Sequence, residues 1–155
     1  PPTSTLSPSS AASDVYKRQV IDSSAFSKFL LREEGWEEVV PYLDPMSEPY
    51  SVDILVIEAV NVVWKYMRRY RLITREQALG IYEQVMKLVE GRVITLEPSK
   101  KYLREALEIA LDYDLPIYDS LFLAEARSLK AKLITSDKRQ GEIGGKMGIE
   151  TVYID

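Results

Sequence analysis

The chain has 155 residues, 46% of them hydrophobic, and a formal net charge of -4. That length suits one domain burying about 70% of its unfolded surface, and the charge leaves no bulk positive field to gather nucleic acid, so cationic contacts must be local. Cysteine and histidine are both absent, which excludes disulfides, zinc sites built on those side chains and nucleophilic triads that need them. Carboxylates, hydroxyls, lysine and metal ions remain for any hydrolytic chemistry. No run of about 18 apolar residues occurs, so no membrane span is expected, and the expected location is cytoplasmic.

Residues 1–19 begin PPTSTLSPSSAAS, almost all Pro, Ser, Thr and Ala. Such a stretch buries too little apolar surface to order itself, and it lacks the charged and apolar regions of a signal peptide. It reads as a disordered leader or a sequence artefact, with the folded domain over 20–155. Val20-Ile21-Asp22 is a short strand. Ser23 or Ser24 caps the helix that follows, in which Phe26, Phe29 and Leu30 recur at helical spacing. Gly35 interrupts, and Trp36, Val39, Val40 and Leu43 predict a short second helix disturbed by Pro41. Residues 44–49 are a loop. SVDILVIEAVNVVWKYMRRY opens with a brief strand and continues from Ile54 as a buried helix. Thr74 with Gln77 forms a capping box for a helix whose apolar face is Ala78, Ile81, Tyr82, Val85 and Val89. Residues 93–96 are a strand. Pro98 opens a helix with Leu103, Leu107, Ala110 and Leu111 inward. After Pro116, Asp119 caps or begins a helix through Leu129. Residues 133–135 form a strand, 138–147 a helix and 151–154 the last strand, with Gly144 and Gly145 read as the helix ending.

Short apolar strands separated by helices are the pattern of a parallel sheet covered on both faces. Ligands of such sheets bind outside the carboxyl ends of the strands. Asp22, in VIDSSA, and Asp137, in LITSDKR, stand at two such ends. Two more acids interrupt apolar surroundings. Glu58 lies in ILVIEAVNVVW, with Asn61 and Lys65 on the same helix face. Asp119 lies in LPIYDSLFLAEA, where Glu125 is a fainter candidate. An acid in such a setting needs a partner. Gathered together, carboxylates repel, and a bound Mg²⁺ or Mn²⁺ relieves that repulsion. The plainer alternative makes Asp22, Asp119 and Asp137 N-caps and pairs Glu58 with Lys65 or a distant arginine.

The series VIDSSA, IEAVNVVW, YDSLFLAEA and LITSDKR resembles the PIN domain, and most nearly the VapC-like ribonuclease toxins of prokaryotic toxin–antitoxin pairs. The resemblance runs from Val20 to Asp155 and implies an α/β fold of three layers, α/β/α, around a short-stranded, mainly parallel sheet. It implies Mg²⁺ or Mn²⁺ as cofactor, with Asp22, Glu58, Asp119 and Asp137 as metal ligands and catalytic groups. Ser23, Asn61, Thr135 and Ser136 match the polar companions of those acids. It also implies an endoribonuclease acting on RNA, a homodimer and a cognate antitoxin.

RNA must also be held. Lys65, Arg68, Arg69, Arg71 and Arg75 crowd into KYMRRYRLITR with Tyr66 and Tyr70 between them, and Lys138 and Arg139 flank the last acid. A solvated helix end explains the first group equally well. The helices around 54–70 and 76–90 carry excess aromatic and aliphatic residues, including Trp64, Tyr66 and Tyr82, as expected of a dimer face. A catalytically silent interaction or scaffold protein of the same fold is the rival class. A phosphatase or receiver-like domain is a third class, but no DxDx(T/V) run occurs here, and GEIGGKMG is not a phosphate-binding loop.

Overall fold

The structure is a computed structural model and describes residues 18–155. The leader expected over 1–19 lies outside the described residues except for Arg18 and Gln19, and Gln19 already belongs to the first strand. Five strands form one parallel sheet: β1 (Gln19–Ile21), β2 (Pro49–Val52), β3 (Thr95–Glu97), β4 (Lys132–Thr135) and β5 (Thr151–Tyr153), in the spatial order β3-β2-β1-β4-β5. The helices are α1 (Ser23–Leu30), α2 (Ile54–Arg68), α3 (Arg75–Glu90), α4 (Leu103–Tyr113), α5 (Ile117–Leu129) and α6 (Lys138–Lys146). Helices α1, α2 and α3 pack on one another, while α4 packs on α5, and α5 lies against β1, β2 and β4. The result is the expected three-layer α/β/α architecture.

Both faces of the sheet are covered, which is why the central strands are continuous apolar runs rather than alternating ones. Val20, Ile21, Leu133 and Ile134 are fully buried, and Phe26 and Phe122 are among the largest buried side chains. Removal from water is worth about 1.5–3 kcal/mol for each such side chain. Successive strands are laid outward from β1 to β2 and β3, and the chain then returns to place β4 on the other side of β1. The order therefore reverses between β1 and β4, the place where open parallel sheets bind ligands.

Several local expectations are corrected. Asp22, not Ser23 or Ser24, caps α1. Residues 36–43 do not form an α-helix but two 3₁₀ turns, Trp36–Glu38 and Val40–Leu43. Gly35 enters the first with φ +84°, and Pro41 has no N–H to extend an α-helical ladder. A third turn, Pro45–Ser47, occupies the expected loop, and β3 begins two residues later than expected. Tyr82 is exposed, and Leu88 packs on the core instead. A 3₁₀ turn at Ser99–Tyr102 resets the phase of α4. Tyr102, Ala106 and Ile109 therefore point inward, while Leu103, Leu107 and Leu111 face out, Leu111 being 75% exposed. Pro116 occupies the N-cap of α5, leaving Asp119 inside its first turn. Gly144 and Gly145 lie within α6. A Cβ on Gly144 would stand 2.8 Å from Thr151 Oγ1, so this glycine serves close helix–strand packing.

The capping box of α3 is present as read: Gln77 N donates to Thr74 Oγ1 at 3.2 Å and Thr74 N to Gln77 Oε1 at 2.8 Å. Thr74→Ala is expected to cost about 1 kcal/mol, seen in thermal unfolding as a fall of a few degrees. No described helix is long and apolar enough to cross a membrane.

Candidate active site

Asp22 follows β1 directly and is 3% exposed. Its Oδ1 accepts the Ala25 N–H at 3.0 Å, capping α1, and the Ser24 hydroxyl at 2.6 Å. Its Oδ2 accepts a short hydrogen bond from the Thr135 hydroxyl at the end of β4. The two strand ends are also joined through the backbone, Asp22 N donating to Ile134 O at 3.1 Å. Burial raises the Asp22 carboxyl to about 6, with Asp137 adding to the rise, against the lowering effect of its hydrogen bonds.

Asp137 caps α6, accepting the Gln140 N–H at 3.0 Å. Its own N–H donates to Thr135 Oγ1 at 3.0 Å, and the Ser136 N–H donates to Ser24 Oγ at 2.8 Å. The alternatives weighed for Asp22 and Asp137 thus coincide: each is a cap, and each stands at the sheet's carboxyl edge. Asp119, in the first turn of α5, is raised to about 6 by burial, then by Asp137 and by Glu58. Glu58 accepts a short hydrogen bond from Ser23, not from a cation. Burial raises its carboxyl, and that bond partly offsets the rise.

These groups surround one open cleft of about 590 Å³, lined by Ser23, Ser24, Glu58, Asn61, Asp119, Ser136 and Asp137. Asp22 is buried and does not itself line the cleft, but is hydrogen-bonded to Ser24, which does. The cleft's remaining wall includes Ser27, Lys28, Glu33 and Lys65. Of the cations singled out from sequence, only Lys65 lines it. Arg68 and Arg69 end α2 beyond it, and Lys138 begins α6, exposed. Arg139 is engaged elsewhere, donating to the Tyr113 and Asp114 carbonyls at 3.2 and 2.9 Å. Tyr66 donates to Glu33 at 2.5 Å and meets Tyr70 edge-on. Sequence reasoning missed Ser24, Ser27 and Lys28. Their spacing, one helical turn apart on α1 just after the strand-end acid, is the signal that could have found them.

The four acids thus meet at one end of the sheet, and their hard oxygen donors suit Mg²⁺ or Mn²⁺. Burial is the main cause of the raised Asp22 and Asp119 carboxyls, and the neighbouring acids add to it: Asp137 for both, and Glu58 for Asp119. Among the described residues, however, no three acidic side chains are grouped tightly enough to hold an ion.

A three-layer α/β/α domain with an acid-lined cleft at the β1/β4 reversal defines the class of protein. The defining pattern of the PIN domain matches residues 20–146, and the chain belongs to the PIN-domain family. It is similar to Ribonuclease VapC3 of Pyrobaculum aerophilum, with 25% identity over 123 residues, spanning 79% of this chain and 92% of that protein. Among solved structures, PAE2754 from Pyrobaculum aerophilum shares the fold with a TM-score of 0.61 and 20% identity, over 90% of this chain and 92% of that one. FitAcB from Neisseria gonorrhoeae does so with a TM-score of 0.56 and 18% identity, over 86% of this chain and 95% of that one.

Proposed function

We propose that the protein is a Mg²⁺- or Mn²⁺-dependent endoribonuclease and the toxin of a toxin–antitoxin pair. One observation supports the nuclease reading: in a PIN-family chain, Glu58, Asp119 and Asp137 line the cleft at the sheet's reversal point, and Ser24 of that lining is hydrogen-bonded to the buried Asp22. Asp22, Glu58 and Asp119 are the ligands assigned to the ions, and Asp137 serves either as a further ligand or through an intervening water. An ion held by these carboxylates would supply a nucleophilic water at neutral pH and would offset charge on phosphoryl oxygens. Asn61 and Lys65 face the same space and hold the RNA phosphate in line with the attack. Water adds to phosphorus as the P–O3′ bond breaks, leaving a 5′-phosphate and a 3′-hydroxyl. The chain has no histidine to act as general base.

The similarity to a ribonuclease VapC supports the toxin role and, with it, a cognate antitoxin. The second reading, a catalytically silent interaction or scaffold protein, is favoured by the lack, among the described residues, of a group of three acids close enough to hold an ion. One assay separates the two. Purified protein with mixed RNA is expected to cleave with Mn²⁺ and to stop when EDTA is added. No cleavage with either Mn²⁺ or Mg²⁺ would favour the silent protein.

The dimer proposal rests on apolar side chains left exposed on α2 and α3: Ile57 and Trp64 on one, Leu79 and Tyr82 on the other. Light scattering at tens of micromolar is expected to return twice the chain mass, and Trp64→Glu to return the monomer. A monomeric wild type at that concentration rejects this interface.

A further inference from the structure

Resting on the nuclease reading above, we propose that Ser24 is a positioning residue that fixes Asp22 relative to Asp137. Its hydroxyl donates to Asp22 Oδ1 at 2.6 Å and accepts the Ser136 N–H at 2.8 Å. One oxygen thereby ties the first turn of α1, the carboxylate closing β1 and the turn that follows β4. Thr135 makes a parallel link, donating to Asp22 Oδ2 and accepting the Asp137 N–H at 3.0 Å. The backbone sets the direction of both links. An N–H can only donate, so each hydroxyl accepts from the β4–α6 turn and turns its single proton toward the carboxylate. The 3.1 Å approach of the two hydroxyls is then a contact between groups whose protons are both committed to Asp22. Losing the Ser24 hydroxyl removes one of the two side-chain braces between Asp22 and the turn carrying Asp137. Asp22 keeps the Ala25 N–H and the Thr135 hydroxyl, but its Oδ1 loses the tie to the turn that carries Asp137. Partners of this kind, one step behind the ligands, are worth about 10–100-fold in metal affinity.

The experiment compares the wild type with Ser24→Ala, Ser24→Cys and Ser24→Thr. Mn²⁺ is titrated by calorimetry, RNA cleavage is followed against Mn²⁺ concentration, and folding is checked by thermal unfolding without metal. Alanine removes the hydroxyl, cysteine fills its space with a weak hydrogen-bonding group, and threonine restores it. Alanine and cysteine are expected to weaken Mn²⁺ binding about 10–100-fold. They should raise the Mn²⁺ needed for half-maximal cleavage in step, with a smaller effect on the rate at saturating Mn²⁺. Threonine is expected to return binding to within a few-fold of wild type. If cysteine binds Mn²⁺ as the wild type does, Ser24 acts through packing and the proposal fails while the nuclease reading stands. Equal loss in all three variants also overturns it. A wild type that binds neither Mn²⁺ nor Mg²⁺ overturns the nuclease reading itself, and the positioning role with it.

Discussion

Asp22→Asn is expected to remove Mn²⁺-dependent RNA cleavage while leaving the protein folded. The loss should exceed the ~100-fold typical of an outer partner of a metal site, because Asp22 is assigned as a direct ligand. Stability should move the other way. The carboxyl ionises at about 6 in the folded protein, against 3.8 ordinarily, mainly because it is buried. A raised carboxyl favours folding at low pH, and that contribution is lost as pH rises from about 4 to about 6. At neutral pH the buried charge therefore costs up to about 3 kcal/mol. Asparagine removes that charge and can still cap α1 through its one carbonyl oxygen, but its amide nitrogen only donates, so the Thr135 hydroxyl loses its acceptor. The metal-free melting temperature should hold or rise slightly.

Asp22→Ala divides the roles. It loses the ligand and also leaves the Ala25 N–H and both hydroxyls without their acceptor, a loss of about 1 kcal/mol for the cap alone. Mn²⁺ at a hundred times its dissociation constant should stabilise the wild type by about 2.7 kcal/mol and both variants much less. Equal Mn²⁺ stabilisation of all three proteins, with cleavage unchanged, removes Asp22 from the site.

Glu125→Gln is expected to stabilise the protein, and more so as pH rises. Glu125 is 0% exposed, and neither of its oxygens makes a hydrogen bond of ordinary geometry. Glu97 faces it, and the groups that could neutralise the pair bind Glu97 instead: the Tyr102 hydroxyl and Lys101 Nζ, each at 2.8 Å. Burial, then the neighbouring Glu97, lifts Glu125 to about 10. Burial pushes Glu97 the same way, but interactions with Glu125, Lys101 and Tyr102 outweigh it and hold Glu97 below the usual range. The proton of the pair thus sits on Glu125.

In the unfolded chain Glu125 ionises near 4.5. Its stabilising proton therefore acts fully below that pH and loses its effect as pH rises toward about 10, at about 1.4 kcal/mol per pH unit. By pH 7 the loss is about 3 kcal/mol. Glutamine keeps the shape without the proton to lose. Urea unfolding between pH 7 and 9 isolates this group, because Asp22 and Asp119, both near 6, are already ionised. Wild-type stability should fall across that window, while the variant stays nearly level and at least about 2 kcal/mol more stable at pH 8.5. Parallel curves would show that Glu125 is not the source of the slope.

Much of this protein is legible from residue order. Val20-Ile21-Asp22 and Leu133-Ile134-Thr135 read as strands because short apolar runs that alternate with helical patterns along the chain fit a parallel sheet covered on both faces. Thr74 and Gln77 announce a helix start because capping is local chemistry. The four acids stand out for a related reason: a carboxylate in an apolar run needs a partner, wherever the chain goes next. Helix phase is less local. Leu103, Leu107 and Leu111 have the spacing of a buried face, yet the 3₁₀ turn before α4 gives the interior to Tyr102, Ala106 and Ile109. Glu125 read as a faint site candidate; only packing shows it facing Glu97 beneath α5. The pairing of β1 with β4 is likewise a tertiary fact. It brings Asp22 beside Thr135, 113 positions away in the chain, and turns Ser24 from a helix-start serine into a brace between two strand ends. Side-chain chemistry and spacing therefore determined which residues need partners. Strand order and packing decided which partners they have, because those choices depend on contacts between segments far apart in the chain.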